Sequence, residues 1–435
     1  MSVLDDLLHY SGASQLGRRD ALDRFSVQIP LLVVITLAVQ IAVVVFALPD
    51  ALLSRTTSNT LSATFAANVL SMLVYREMRR VPGTRRVASI LPAFLVNYLV
   101  LILIILIARV PYSSILGAIG FVVGFSLTWI LNARARSQYK SISMFYVPSD
   151  RTVAFCEELR DIDFHRLESP EDLARVDDNP VVVDLREDLD SDWERAIASA
   201  VVRGVSVFHV KQLRESLTGM VRIDAMSENS FGTLQPSSSY LHAKRVIDML
   251  VSVPTLILLS PIMLVVAIAI RLDSPGPAIF RHQRMGHRGV PFHTLKFRTM
   301  VTRAPDGLDR DSQMTQASDP RITRIGRFLR KTRLDEMPQL INVIRGEMSL
   351  IGPRPEAMAL SKWYDENLDF YEYRHIVRPG VTGWAQVNQG HVTQLDDVFV
   401  KLQYDFYYIK NISAWLDLLI LFRTLQVMVS GKGAV

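Results

Sequence analysis

Two adjacent carboxylates, Asp335 and Glu336, sit at the centre of the most chemically loaded stretch of the chain, Asp319 to Pro355. Ahead of them come Arg321, Arg324, Arg327, Arg330, Lys331 and Arg333, a dense run of fixed positive charge. Leu334, Met337, Leu340, Ile341, Ile344 and Met348 recur at helical spacing, which predicts an amphipathic helix with the carboxylates near its start. Pro338 is tolerable there because a first turn has no intrahelical donor to lose. Gly346, then Gly352 with Pro353 and Pro355, mark where that helix weakens and stops. A helix N-terminus carries partial positive charge and free N–H groups, so it attracts anions and keeps a carboxylate ionised. Cations crowded around two carboxylates suit a substrate with its own negative charge, and a phosphate or diphosphate fits best. One carboxylate could attack phosphorus while its neighbour holds a divalent metal. The same run also suits a solvated ion-pair face on a surface helix, and spacing alone does not choose.

The elements that must position these groups begin with length and hydropathy. A chain of 435 residues suggests about three units. Hydrophobic content of 49% and a mean hydropathy of +0.21 point to membrane-embedded segments. The single cysteine, Cys156, excludes an internal disulfide or a cysteine metal cluster. Charge is unevenly spread: Ser141 to Tyr240 holds 10 Lys/Arg against 19 Asp/Glu, whereas Arg271 to Arg333 holds 14 against 5. A domain boundary is expected between those blocks.

Four apolar segments follow a polar start: Ile29 to Leu48, Leu61 to Tyr75, Val87 to Ala108 and Ile115 to Leu131. The first and third are each long enough to span alone, which takes about 20 apolar residues. The second is short and rich in Ala, Ser, Asn and Thr. The fourth carries Gly117, Gly120 and Gly124, small residues that let membrane helices approach closely. Arginines crowd the N-terminal flank, the second connection (Arg76, Arg79, Arg80, Arg85, Arg86) and the C-terminal flank (Arg134, Arg136), an alternation that places both ends of the bundle in the cytoplasm. No chain of buried acids or bases marks an ion pathway, so the bundle reads as an anchor.

From Ser141 to about Ser239 short strands alternate with helices, the pattern of a small doubly wound α/β unit. Its first strand runs into Pro148-Ser149-Asp150 where a glycine-rich fingerprint would be expected, which argues against nucleotide binding. Ser227 to Ser239 reads as a linker. Val246 to Ile270 is long enough to span, yet Ser260-Pro261 interrupts its middle and basic residues flank both ends. A re-entrant helix that enters and leaves on the cytoplasmic face removes the conflict with the positive-inside rule. Ala278 to Met285 and Phe292 to Met300 read as a hairpin carrying Lys296, with Arg298 beside it, and Met300 to Asp319 as a mobile loop over the site. Further helices are expected over Asp396 to Lys410 and Ala414 to Val429, the latter lying in the membrane interface.

Several motifs in this last part closely resemble the bacterial sugar transferase family, the monotopic polyprenyl-phosphate hexose-1-phosphate transferases. They are Lys244-Arg-Val-Ile-Asp248, the Ser260-Pro261 break, Leu295-Lys-Phe-Arg-Thr-Met300, Leu334-Asp-Glu336, Ile351-Gly-Pro-Arg-Pro355 and Arg378-Pro-Gly-Val-Thr-Gly-Trp-Ala-Gln-Val-Asn388. The resemblance runs from about Lys244 to Val429. Four N-terminal spans and an unfingerprinted α/β unit look like the long, three-part subgroup.

The resemblance implies a membrane protein of α and α/β class. Its parts would be a four-helix transmembrane bundle (1–140), a small Rossmann-like α/β domain (141–239) and a mainly helical catalytic domain (240–435) with a re-entrant helix over 246–270, where Ser260 and Pro261 are structural. It implies a phosphoglycosyl transferase of the bacterial inner membrane, with the catalytic and α/β domains on the cytoplasmic side. Such an enzyme moves a sugar-1-phosphate from a nucleoside diphosphate sugar, a UDP-hexose for preference, to polyprenyl (undecaprenyl) phosphate. That is the first membrane step of exopolysaccharide, capsule or O-antigen assembly. Asp335 would be the nucleophile, Glu336 would hold Mg²⁺, Arg330, Lys296, Arg354 and Arg378 would clamp phosphates, and Asp405 would orient a cation or support the metal. Asp405 could instead pair with Lys401 or Lys410. No nucleic-acid partner is expected, and a homodimer is left open. Two competing readings are a non-enzymatic membrane-anchored regulator and a glycosyltransferase that moves the sugar without its phosphate.

Overall fold

The computed structural model describes residues 25–47, 49–79, 89–138, 143–159, 162–176, 179–223, 238–301, 321–389 and 394–430. The chain packs into two compact units, Met1–Gly219 and Met220–Val435.

The first unit opens with four helices: α1 (Phe25–Ala47), α2 (Arg55–Arg79), α3 (Ile90–Ala108) and α4 (Ser114–Gln138). Of these, α1, α3 and α4 are long and apolar enough to cross a bilayer. The α2 helix is not, and the reason lies in its buried face. Thr57, Thr60, Thr64, Asn68 and Ser71 recur on one side and are turned inward. There Thr64 donates to Gln40 Oε1 at 3.1 Å and Tyr98 donates to Asn68 Oδ1 at 3.1 Å. Two of the three glycines expected to permit close approach do so: a Cβ on Gly120 would lie 2.7 Å from Gln40 Nε2, and one on Gly124 would lie 2.5 Å from Asn68 Oδ1. A Cβ on Gly117 would meet nothing within 4 Å.

The same unit continues into a parallel sheet of β1 (Ser143–Tyr146), β2 (Asp163–Arg166), β3 (Val181–Val183) and β4 (Val207–His209), in the order β2-β1-β3-β4. The strands alternate with α5 (Asp150–Glu158), α6 (Pro170–Ala174), α7 (Ser191–Val202) and α8 (Val210–Thr218). Leu173, Ile197 and Ala200 pack with Val181 and Val183 in one apolar cluster, while Phe155 and Leu213 pack with Val182 in another. Successive strand residues point to opposite faces, so both faces are covered, as a parallel sheet requires. The expected linker falls mostly outside the described residues.

The second unit begins with α9 (Ser238–Asp273), 36 residues assigned as helix without interruption although Pro254 and Pro261 lie inside it. It is the fourth helix apolar and long enough to cross a membrane. Pro261 has no N–H for the carbonyl one turn back, that of Ile257. The Ser260 hydroxyl supplies the missing donor, reaching Ile257 O at 2.7 Å. At the far end Arg298 donates to the carbonyls of Ile270 (3.2 Å), Ser274 (2.6 Å) and Pro275 (2.8 Å), holding a cation on a helix C-terminus. The predicted hairpin forms from β5 (Ile279–Met285) and β6 (Pro291–Phe297), paired antiparallel. Then come α10 (Arg324–Thr332), α11 (Gln339–Arg345), β7 (Ser349–Ile351), α12 (Met358–Asn367), β8 (Gly380–Thr382), α13 (Trp384–Asn388), α14 (Leu395–Lys410) and α15 (Ala414–Ser430). Of the loop expected over the site from Met300 to Asp319, residues 302–319 lie outside the described residues.

Candidate active site

The helix expected over Leu334 to Met348 is shorter than its periodicity suggests. Leu334–Glu336 form a single 3-10 turn, Pro338 is the N-cap of α11, and Gly346 ends α11 at φ 85°. Arg333 enters the turn at φ 59°, a left-handed backbone that L side chains rarely adopt. The dyad thus sits on a tight turn between α10 and α11 rather than in a helix's first turn. Proline at the α11 cap is the physical reason: Pro338 has no N–H to give the Leu334 carbonyl, and the Met337 N–H closes a tighter bond to it instead, at 3.2 Å.

Three elements converge on that turn. Lys296, near the end of β6, places Nζ 2.9 Å from Glu336 Oε1, and Arg354, in the turn after β7, places a terminal nitrogen 2.7 Å from the same oxygen. Asn342 of α11 ties the three together. Its Oδ1 accepts the Leu295 N–H at 2.9 Å, and its Nδ2 donates to His293 O and to Glu347 Oε2, each at 2.7 Å. A side-chain amide therefore completes the free edge of β6 and sets α11 against it. Behind Arg354 the strands β7 and β8 run parallel at a separation only glycine allows. A Cβ on Gly380 would lie 2.1 Å from Gly352 N, and one on Gly383 would lie 2.2 Å from Gly352 O.

The two carboxylates of the dyad differ. Burial pushes Glu336 up, but Arg354 and Lys296 overcome it and hold the group well below the usual range. Asp335 is raised, first by burial and then by the charge of Glu336, against the pull of Lys296, Arg333 and Arg354. This corrects the expectation that a helix N-terminus keeps it ionised: the tight turn gives it no capping N–H. Asp335 Oδ1 is buried and has no hydrogen-bond partner among the described residues. Lys296 is itself drawn down to about 8 by burial, which Glu336 opposes and Arg354 and Arg284 reinforce.

A second layer of charge lies behind Arg354. The Arg374 guanidinium donates to Arg354 O at 2.9 Å, to Asp405 Oδ2 at 2.7 Å and to the Tyr371 hydroxyl at 2.9 Å. Glu356 pairs with Lys401 and lies 4.0 Å from Arg374, and those cations with Arg284 hold it far below its ordinary value despite burial. Arg284 donates to Pro355 O. Asp405 therefore pairs with Arg374, not with Lys401 or Lys410. Asn342, Glu356 and Arg374 went unnoticed in the sequence, where no spacing links them.

The remaining expected phosphate ligands lie elsewhere. Arg330 donates from Nε to the Thr299 hydroxyl at 3.0 Å. Arg378 donates from Nε to Gly346 O at 3.0 Å and lines a separate cavity bounded by Lys244, Arg245 and Asp248. Among the described residues no three acidic, histidine or cysteine side chains cluster as a metal cage. The donor set at the dyad still fits a hard divalent cation. Such ions use one or two carboxylates plus substrate phosphate oxygens, and the orphaned Asp335 oxygen beside Glu336 offers hard oxygen ligands.

Half-buried carboxylates faced by cations, on a unit whose first helix is long and apolar enough for a bilayer, point to a membrane-associated enzyme that handles phosphoryl groups. The profile of the bacterial sugar transferase family matches residues 239–431. The chain is 39% identical over 377 residues to UDP-N-acetylgalactosamine-undecaprenyl-phosphate N-acetylgalactosaminephosphotransferase of Aeromonas hydrophila, covering 86% of this chain and 88% of that protein. It is 43% identical over 185 residues to UDP-glucose:undecaprenyl-phosphate glucose-1-phosphate transferase of Escherichia coli K12, covering 42% of this chain and 39% of that one. It is 38% identical over 210 residues to undecaprenyl-phosphate galactose phosphotransferase of Salmonella typhimurium, covering 46% of this chain and 42% of that one. The chain belongs to the bacterial sugar transferase family, and it is a membrane-bound phosphoglycosyl transferase.

Proposed function

We propose that this enzyme transfers a sugar-1-phosphate from a UDP-hexose, or an N-acetylated one, to undecaprenyl phosphate, through an aspartyl phosphosugar intermediate. One observation carries the assignment: a buried, unpartnered Asp335 oxygen beside a Glu336 already gripped by two cations. An unsatisfied buried acceptor costs stability, about 1–3 kcal/mol, and is retained where it does chemistry.

Asp335 attacks the β-phosphorus of the donor, the bond from that phosphorus to the bridging oxygen breaks, and uridine monophosphate leaves with the electron pair. An oxygen of the lipid phosphate then attacks the same phosphorus, and the acyl phosphate bond breaks to return the carboxylate. Lys296 and Arg354 balance charge on the phosphoryl oxygens as they pass through the transition state. Glu336 would hold Mg²⁺, which would supply neutralisation of charge on the leaving phosphate. Asp405 supports Arg354 through Arg374. In this reading Arg330 and Arg378 act outside the first circle of phosphate contacts.

Three parts are proposed: an anchor bundle (1–140), an α/β domain (141–239) and the catalytic domain (240–435), the last two on the cytoplasmic side of the inner membrane. The pathway is the first membrane step of a surface or secreted polysaccharide, and a homodimer is compatible with it. The α9 helix is proposed to re-enter, bending where Pro261 opens its hydrogen-bond ladder.

Labelled uridine monophosphate should exchange into donor without lipid, Asp335→Ala should abolish that exchange, and mass spectrometry should find the phosphosugar on the Asp335 peptide. Release of uridine diphosphate, or full turnover by Asp335→Ala, would sink the reading. For topology, a cysteine placed between Arg281 and Arg288 should label only from the cytoplasmic side. Burial pushes the native Cys156 thiol up to about 12, so it adds little background.

A further inference from the structure

A cavity of about 480 Å³ opens at the polar start of α9, bounded by the hairpin tip, β7, the segment leading into β8 and the end of α14. Three guanidiniums face it, those of Arg245, Arg288 and Arg378. Arg245 donates to Val343 O (2.5 Å) and Ile344 O (2.8 Å), and Arg378 spends only Nε, on Gly346 O. The terminal nitrogens of Arg378 have no hydrogen-bond partner among the described residues. Arg288 makes no hydrogen bond or ion pair among the described residues and is exposed. Asp248 is the one carboxylate on the lining among the described residues, and its Oδ1 accepts the Leu350 N–H at 3.2 Å. Lys244, also on the lining, is matched by Asp417 at 2.6 Å. The cavity therefore holds a surplus of positive charge. His287 feels that surplus: burial, then Arg378, lowers its pKa, and Arg288 lowers it further.

Immediately beyond this charge the apolar surface begins. Val246, Ile247, Leu250 and Val251 are all exposed on α9. Cations at the head of an exposed apolar helix match an amphiphile with a phosphate head and a hydrocarbon tail. The dyad is not on the lining. Arg245 and Arg378 grip the C-terminal carbonyls of α11, whereas Asp335 and Glu336 precede its N-terminus. Seven residues of helix separate them, about 10 Å of rise. A phosphate held here cannot be attacked from, or attack at, Asp335.

We propose that this cavity binds the phosphate headgroup of an anionic bilayer phospholipid, a site separate from those of the sugar donor and the lipid acceptor. The bound headgroup ties the membrane surface to the end of the helix that follows the dyad. Arg288 has a left-handed backbone (φ 55°), so Arg288→Asn removes its charge with a residue that tolerates that conformation, and Arg288→Lys keeps the charge.

The test uses full-length protein, washed free of lipid in detergent and returned to phosphatidylcholine nanodiscs with or without phosphatidylglycerol. Native mass spectrometry counts the retained phospholipid. Wild type and Arg288→Lys should retain phosphatidylglycerol in preference to phosphatidylcholine. Arg288→Asn should bind it about fivefold more weakly, the weight of one basic charge near a membrane surface, while exchanging uridine monophosphate into donor at the wild-type rate. Equal retention by Arg288→Asn overturns the proposal. So does displacement of the lipid by inorganic phosphate alone, which would make the ligand a free anion. A raised KM for undecaprenyl phosphate in Arg288→Asn, with phospholipid retention unchanged, would hand the cavity to the acceptor and also overturn it. Lipid retention is read without turnover, so its outcome is independent of the transfer mechanism proposed above.

Discussion

The charges around Glu336 and those around Asp405 are drawn from the same residue types and meet at Arg354, yet they are completed to different degrees. Around Asp405 each group has a fixed partner: Arg374 bridges Asp405, Tyr371 and the Arg354 carbonyl, and Lys401 meets Glu356. Around Glu336 the cations are in place, but an oxygen of the neighbouring Asp335 is left with nothing. A saturated buried network holds a shape, and one with an open valence is ready for a ligand. The contrast separates support from chemistry among residues of identical type.

The sharpest way to break the comparison is Asp335→Asn, which keeps shape and removes charge. Exchange of uridine monophosphate should fall about 10⁴-fold or more. The thermal midpoint should hold or rise, because Asp335 Oδ1 has no hydrogen bond to lose. Arg374→Met should show the reverse order. It leaves Asp405 buried without its ion partner, at a cost of about 3–5 kcal/mol read as a lowered thermal midpoint in detergent, and Arg374→Met with Asp405→Leu should recover much of it. If Arg374→Met lowered activity while leaving the midpoint untouched, the supporting role would be wrong. Lys296→Met should come third, lowering kcat/KM about 10²-fold with kcat taking most of the loss. The smallest effect is expected at Arg423, whose guanidinium lies 4.8 Å from the Trp384 ring centroid and donates to Asn388 Oδ1. Arg423→Ala should cost about 1 kcal/mol of stability and leave exchange unchanged.

Much of the architecture was legible in residue order. The apolar runs of α1, α3 and α4, the alternation of strand and helix from Ser143 to Thr218, and the hairpin around Gly286–Gly289 all follow from periodicities of one residue type. The α2 helix was harder because Thr57, Thr60, Thr64 and Asn68 on its polar face find hydrogen bonds inside the bundle, where hydropathy counts them as loss. The helix expected from Leu334 broke into a turn and a short α11 because apolar spacing persists across a proline that the backbone does not ignore. At the site, the dyad, Lys296 and Arg354 stood out by charge and motif. Arg378 stood out equally, yet its Nε caps α11 and its cavity is a different one.

What residue order determined by itself was local: where helix and strand periods run, where twenty apolar residues suffice for a bilayer, and where charge is too dense to be incidental. Only the tertiary structure decided the pairing of those charges. Lys296 reaches Glu336 across 40 residues and Arg374 reaches Asp405 across 31. Coulomb attraction does not read sequence separation, and every arginine carries the same charge. Which carboxylate each one meets is set by how Asn342 seats α11 on β6 and how glycines let β7 approach β8, contacts that exist only once the chain has packed.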